Sequence, residues 1–267
     1  MAADRPTIRR VSVPSAAPDR SKAVRKQLRL WLPNQHGAWA MLSAPFLVGM
    51  GLGRASWWHV PLGIAWLLGY MTAFHLEQYV RLRHIARNPK APRRHVRPLV
   101  TFGAILIVIG AALAVAHPWL LLAAAAMAPF FAVNLWYAWR NDERALVNGL
   151  VAVFPACGML VVSLHLGGGD LAAGWRPAVA CLLYFAGTVF YVKTMIRERG
   201  NRDFYRISIG YHVVALAVAV WLRPLLAVAF AVYLARAVLL PGRALRPAKV
   251  GIIEMGCCAL LMVLLLA

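Results

Sequence analysis

Ionised side chains are what this sequence has least of. Only 14% of its 267 residues are charged, where a soluble domain carries about 25%. Acids are scarcer still, with nine Asp and Glu against 29 Lys and Arg. A soluble surface cannot be made from so little charge when 61% of residues are hydrophobic and the mean hydropathy is +0.65. That excludes a soluble globular enzyme, a disordered chain and a coiled coil. Cysteine is also sparse. Cys157, Cys181, Cys257 and Cys258 all lie in apolar runs, and none has a C-x-x-C or Cys/His spacing. A disulfide scaffold and a zinc site are excluded, and the four read as small core or lipid-facing residues, Cys257 and Cys258 on different helix faces. The polar, basic stretch before residue 34 has no apolar segment of the secretory kind. No Ser-His-Asp arrangement, haem signature or dinucleotide fingerprint occurs. Gly167-Gly-Gly-Asp170 lacks a following Lys-Ser/Thr and reads as a flexible extracellular turn, not a phosphate loop.

What the sequence has instead is apolar runs of about 17–22 residues, the length that crosses a bilayer as a helix. They lack the two-residue alternation of a transmembrane β-barrel. Nine are expected, over 37–53, 57–77, 98–116, 118–139, 145–166, 177–195, 207–222, 224–240 and 248–267. The predicted fold class is all-α: a polytopic membrane protein whose residues 34–267 form a nine-helix transmembrane bundle. Residues 1–33 are predicted to be a basic, largely disordered tail, with 24–32 lying along the membrane surface. His117-Pro118 and Arg223-Pro224 are expected to be almost the whole of two links, because proline in a helix's first turn forfeits no hydrogen bond.

Sidedness follows from the basic residues. The N-terminal stretch and every second loop hold 26 Lys and Arg; the opposite loops hold only Arg54, Arg176 and Arg223. By the positive-inside rule the N-terminus is cytoplasmic, the C-terminus extracytoplasmic, and the location the cytoplasmic membrane. The formal net charge of +20 would suit nucleic acid in a soluble protein. Here it is spread over five loops with no nucleic-acid motif, so the expected partner is the anionic face of a lipid bilayer, not nucleic acid.

Polar residues gather in the expected cytoplasmic half of the spans. They are Asn34, Gln35 and His36 entering the first, His75 and Glu77 leaving the second, and Arg97 before the third. Asn134 leaves the fourth, Asn148 enters the fifth, and Lys193 and Arg197 leave the sixth. His212 enters the seventh, Arg236 leaves the eighth and Glu254 enters the ninth. Intramembrane ionisable groups are costly and mark functional sites. Arg236 and Lys193 can snorkel to the headgroups, whereas Glu254 is short for that. The expectation is that these residues line one cytoplasm-facing polar cavity. His75 and Glu77, two apart, do not share a helix face. Asn141-Asp-Glu-Arg144 reads as a solvated turn with i, i+3 charge pairing.

The segment Pro33-Asn-Gln-His-Gly-Ala-Trp-Ala-Met41 resembles the opening of the YwiC-like family of bacterial membrane proteins. The likeness continues in Lys193-Thr-Met-Ile-Arg-Glu-Arg199 and Val250-Gly-Ile-Ile-Glu254, so it covers nearly the whole chain after the tail. The resemblance implies a membrane protein and no particular chemistry. The layout also resembles the UbiA superfamily of intramembrane prenyltransferases, which have nine helices, a cytoplasm-facing cavity and two Asp-rich motifs after the second and sixth helices. Arg97-Pro98-Leu99 followed by Gly103 is similar to the Arg-Pro-Leu after their first motif. Where that family has Asn-Asp-x-x-Asp, this chain has His75-Leu-Glu77-Gln-Tyr-Val-Arg81. Where it has a second Asp cluster, this chain has Lys193, Arg197, Glu198 and Arg199.

Clustered carboxylates hold Mg²⁺, which bridges to a diphosphate leaving group. Basic residues in their place hold an anion directly, Arg in bidentate fashion. The predicted function is therefore binding of an anionic isoprenoid or phospholipid-type ligand through Lys193, Arg197 and Arg97, with His36, Glu77 and Glu254 shaping the cavity. A UbiA-like transferase activity, and with it a Mg²⁺ cofactor, would require that family's chemistry to be retained. No catalytic residue or resident metal site is assigned. The rival readings are a transporter or permease, and a non-catalytic membrane partner protein.

Overall fold

The computed structural model describes residues 31–33, 36–243 and 245–267, with only the backbone of His36. The expected tail up to residue 30, with most of its interfacial segment, lies outside the described residues, as do Asn34 and Gln35. The chain divides into two units, 1–33 and 34–267. The second holds nine α-helices among its described residues: α1 His36–Leu52, α2 His59–Ile85, α3 Val96–Ala116, α4 Leu120–Trp139, α5 Leu146–Leu166, α6 Leu171–Ile196, α7 Arg202–Leu222, α8 Leu226–Leu239 and α9 Pro247–Leu266. A short 3-10 helix, Pro92–His95, leads into α3, and no strand occurs among the described residues.

Each expected apolar run is a helix, and the differences lie at the ends. α2 continues eight residues past the expected 77, through Gln78, Arg81 and Arg83. These are good helix formers, so the helix outlasts its apolar stretch. α6 and α7 begin earlier than expected because Asp170 and Asn201 cap them, accepting hydrogen bonds from the amides of Ala172 (3.0 Å) and Phe204 (3.1 Å). Pro177 therefore lies inside α6 instead of opening it. The links at His117-Pro118 and Arg223-Pro224 are tight turns, closed by Leu120 and Leu226 amides on the His117 and Arg223 carbonyls.

The helices pack as a ring with a flank. α1, α5, α6, α7, α8 and α9 contact one another in closed succession around a core that includes Val48, Leu160, Tyr184, Ala219, Phe230 and Leu261. α2, α3 and α4 form the flank, joined to the ring mainly through α4 on α5. The most extensive pairing is α1 on α5. It depends on Gly49, where a Cβ would lie 2.2 Å from the Leu160 carbonyl oxygen. Small residues at such crossings let two backbones meet.

The outside of the bundle is apolar. α3 and α4 expose Ile107, Val108, Val115 and Leu122 at 70% or more, a surface that water would not tolerate as one patch. Among the described residues, six helices are long and apolar enough to cross a membrane: α3 with its 3-10 lead, α4, α5, α6, α7 and α9. α1 and α8 are apolar but shorter, and α2 carries more polar residues. Tryptophans mark both ends, Trp57, Trp119, Trp175 and Trp221 at one and Trp136 and Trp139 at the other. This is the pattern of interfacial aromatic belts. The chain is a multi-pass helical membrane protein. The end with the turns 86–95, 140–145, 197–201 and 240–246 carries most of the basic loop residues and is called the basic end below.

Candidate functional site

At the basic end the polar side chains form separate groups, not the single cavity expected. The deepest is an ion pair. Arg236 of α8 and Glu254 of α9 join through Nη1 and Oε1, so the glutamate is engaged by a side chain inside the bundle. The hydroxyl of Thr188 on α6 donates to the other Glu254 oxygen at 2.7 Å, and Arg236 Nη2 reaches the Thr188 oxygen at 3.4 Å. Three tyrosine rings surround the guanidinium, with centroids 5.5 Å (Tyr184), 4.7 Å (Tyr191) and 5.1 Å (Tyr233) from Cζ. Such cation–π contacts strengthen when desolvated. Tyr184 and Tyr233 also donate to the carbonyls of Glu254 and Cys257. Tyr191 and Tyr233 lie among the polar residues expected in the cytoplasmic half, whereas Tyr184 carries no such signal. Only the helix packing brings them onto one cation.

A second group ties α2 to the turn after α4. Glu143 accepts from Arg81 Nη1 (2.9 Å) and Gln78 Nε2 (3.0 Å), and Arg81 Nη2 closes the triangle on Gln78 Oε1 (2.9 Å). The turn at 141–144 is thus not the self-paired solvated turn expected. Its acid is taken by a residue about sixty positions earlier, which no local pattern signals. Asn148 donates to the Glu143 carbonyl (2.9 Å) and accepts from Asn134 Nδ2 (2.6 Å). Glu77 is partly buried on α2 near Glu143.

The third group is a histidine pair. His75 is fully buried on α2, and its Nδ1 lies 3.0 Å from Nδ1 of His95 in the 3-10 helix. Arg94 Nε donates to His95 Nε2 (3.3 Å), so that nitrogen carries no proton. His95 is therefore protonated on Nδ1 and donates to His75, whose own proton sits on Nε2.

A fourth group is cationic. Lys193 Nζ (3.2 Å) and Arg197 Nη1 (3.4 Å) both donate to the backbone carbonyl of Arg144. Burial and the charge of Arg144 together lower the Arg197 pKa. Among the described residues no carboxylate pairs with any of the three. Two positive side chains meeting on one neutral oxygen repel each other, so an anion there relieves an unfavourable contact.

Of the remaining expected site residues, Arg97 is exposed in the first turn of α3 and His212 is buried on α7, its Nδ1 donating to the Ser208 carbonyl at 2.7 Å. The side chain of His36, like Asn34 and Gln35, lies outside the described residues. All four cysteines are buried and free, which makes them core residues.

The sequence profile described as "YwiC-like protein" matches residues 32–164. A Bacillus subtilis protein described as "Uncharacterized protein YwiC" is 35% identical over 188 residues, covering 70% of this chain and 75% of that protein. A Haemophilus influenzae protein described as "Uncharacterized protein" is 33% identical over 243 residues, 90% of this chain and 98% of its own length. No solved structure matches. The profile match takes in the His75–His95 pair and Glu143 with Arg81 and ends before Lys193, Arg236 and Glu254; by its relatives, the chain belongs to the YwiC-like family.

Proposed function

We propose that this protein spans the cytoplasmic membrane nine times, N-terminus inside and C-terminus outside, and binds an anionic lipid-type ligand at its basic end. The observation that carries the reading is the convergence of Lys193, Arg197 and Arg144 without a carboxylate partner among the described residues. The flanking residues Ile196 and Val147 are exposed and apolar. A ligand at this rim meets cations with its head and hydrocarbon with its tail, the character of an isoprenoid phosphate or phospholipid. Arg97 adds a fourth positive charge at the same end.

The nine-span count and the UbiA-like arrangement belong to this reading. Nine helices coincide with the nine apolar runs, and the 26-to-3 division of basic residues needs every one of them to cross. α8, at 14 residues, is the shortest. It spans about 21 Å at helical rise, against roughly 30 Å of hydrocarbon. Binding, not group transfer, is proposed. Glu143 and Glu254 are each held by an arginine, and among the described residues no three His, Cys, Asp or Glu stand together as a metal-holding group.

Native mass spectrometry of the detergent-purified protein tests the ligand. An acidic lipid should co-purify with the wild type and fall at least tenfold in Lys193→Ala/Arg197→Ala. Equal retention in both defeats the proposal. Reporter fusions after residues 90, 142, 199 and 267 test the topology, with only the last expected outside.

A further inference from the structure

A cleft of about 450 Å³ opens at the basic end between the α6–α7 turn and the α8–α9 turn, on residues separate from the cationic group above. Its charged wall is Arg199, Arg202 and Arg243, opposed by the single acid Glu198. Met195, Tyr205 and Pro241 supply the less polar wall. Gly200 and Gly242, at φ +85° and +106°, take backbone conformations that other residues rarely adopt and so reverse the chain at each turn. That places arginines of both turns on one space.

The arginines are not equally engaged. Arg199 is tied down, with Nε donating to the Met195 carbonyl (3.2 Å) and Nη2 to the Leu245 carbonyl (3.4 Å). Glu198 is engaged by Asn201 Nδ2 at 2.9 Å, not by an arginine. Tyr205 braces α7 to α8 through its hydroxyl on the Val238 carbonyl (2.9 Å). Arg202 and Arg243 hold no side-chain hydrogen bond or ion pair among the described residues, so both planar forks are available to a ligand. The start of α7 lies at the same cleft and adds its positive dipole end.

We propose that this cleft is a binding site for a phosphate monoester. The lining has three positive groups against one negative, an excess that matches the charge of about −2 on a phosphate monoester at neutral pH. Guanidinium forks match phosphate oxygens in bidentate geometry. The volume lies within the range of about 300–1,000 Å³ typical of small-molecule sites. It therefore has room for the organic part of an ester beside Met195 and Tyr205. The phosphate belongs either to a soluble ester or to a lipid headgroup.

The test uses the full chain in phosphatidylcholine nanodiscs, titrated calorimetrically with glycerol 3-phosphate. A parallel sample with 10% phosphatidic acid is read by native mass spectrometry for retained lipid. The wild type should bind at least one probe, and Arg202→Ala/Arg243→Ala should bind it at least tenfold more weakly. The unfolding temperature should not change, since neither side chain has a protein partner to lose. Glycerol 3-phosphate alone identifies a soluble ester; phosphatidic acid alone identifies a headgroup. Lys193→Ala/Arg197→Ala should leave this binding within twofold, which separates it from the ligand proposed above. Overturning results are no binding of either probe, equal binding by wild type and the Arg202/Arg243 variant, or equal losses in both double variants.

Discussion

Arg236 and Glu254 form an ion pair inside the ring of helices, with side chains only 4% and 12% exposed. The pair links α8 to α9, and Thr188 extends it to α6. Removing one partner of a buried pair leaves the other charge desolvated, at a cost of about 3–5 kcal/mol, while replacing both by apolar residues of similar size is often neutral. Arg236→Met and Glu254→Leu should each lower the unfolding temperature markedly, and the double variant should regain most of the loss. Additive losses would show that the two residues do not act as a pair.

The histidine pair should depend on both rings. His95→Ala removes the ring whose Nδ1 lies 3.0 Å from Nδ1 of the buried His75, and loss of a buried hydrogen-bond partner costs about 1–3 kcal/mol. The variant should unfold at a lower temperature than the wild type, and an unchanged unfolding temperature would contradict the pairing.

The α1–α5 crossing should be intolerant of a single methyl group. A Cβ at Gly49 would lie 2.2 Å from the Leu160 carbonyl oxygen and 2.9 Å from Ser163 Cβ. Both are backbone or near-backbone atoms that cannot swing aside. Gly49→Ala should destabilise by about 1–3 kcal/mol, the usual cost of overpacking. Gly69→Ala, with open space around it, is the matched control.

The native cysteines report on how closed the bundle is. Cys157, Cys181, Cys257 and Cys258 are all buried, the last two beside the Arg236–Glu254 pair. A water-soluble maleimide should leave the native protein unlabelled and modify all four after denaturation, as intact mass would show. Labelling of Cys257 in the native state would mean that water reaches the ion pair.

The helices were legible in the sequence because a bilayer imposes a length on each apolar run, and length needs no knowledge of neighbours. The helix ends were less so. α2 outran its apolar stretch because polar helix formers continue a helix once begun. The polar residues were legible one at a time, since an ionisable group at membrane depth stands out by its cost. Arg236 and Glu254 were singled out that way, and His75, Asn134 and Asn148 as polar residues at the ends of apolar spans.

Their partners were not legible. Thr188, Tyr184, His95 and Arg81 carry no signal of their own, and each matters only through a residue that packing brings beside it. The same holds for the cleft, whose arginines come from two turns about forty residues apart. Hydropathy and charge, read along the chain, determined that this is a helical membrane protein with its basic residues at one end. Which charges neutralise one another inside the bundle, and which remain available to a ligand, was decided only by tertiary structure. Electrostatic pairing depends on distance in space, and that distance is set by helix packing.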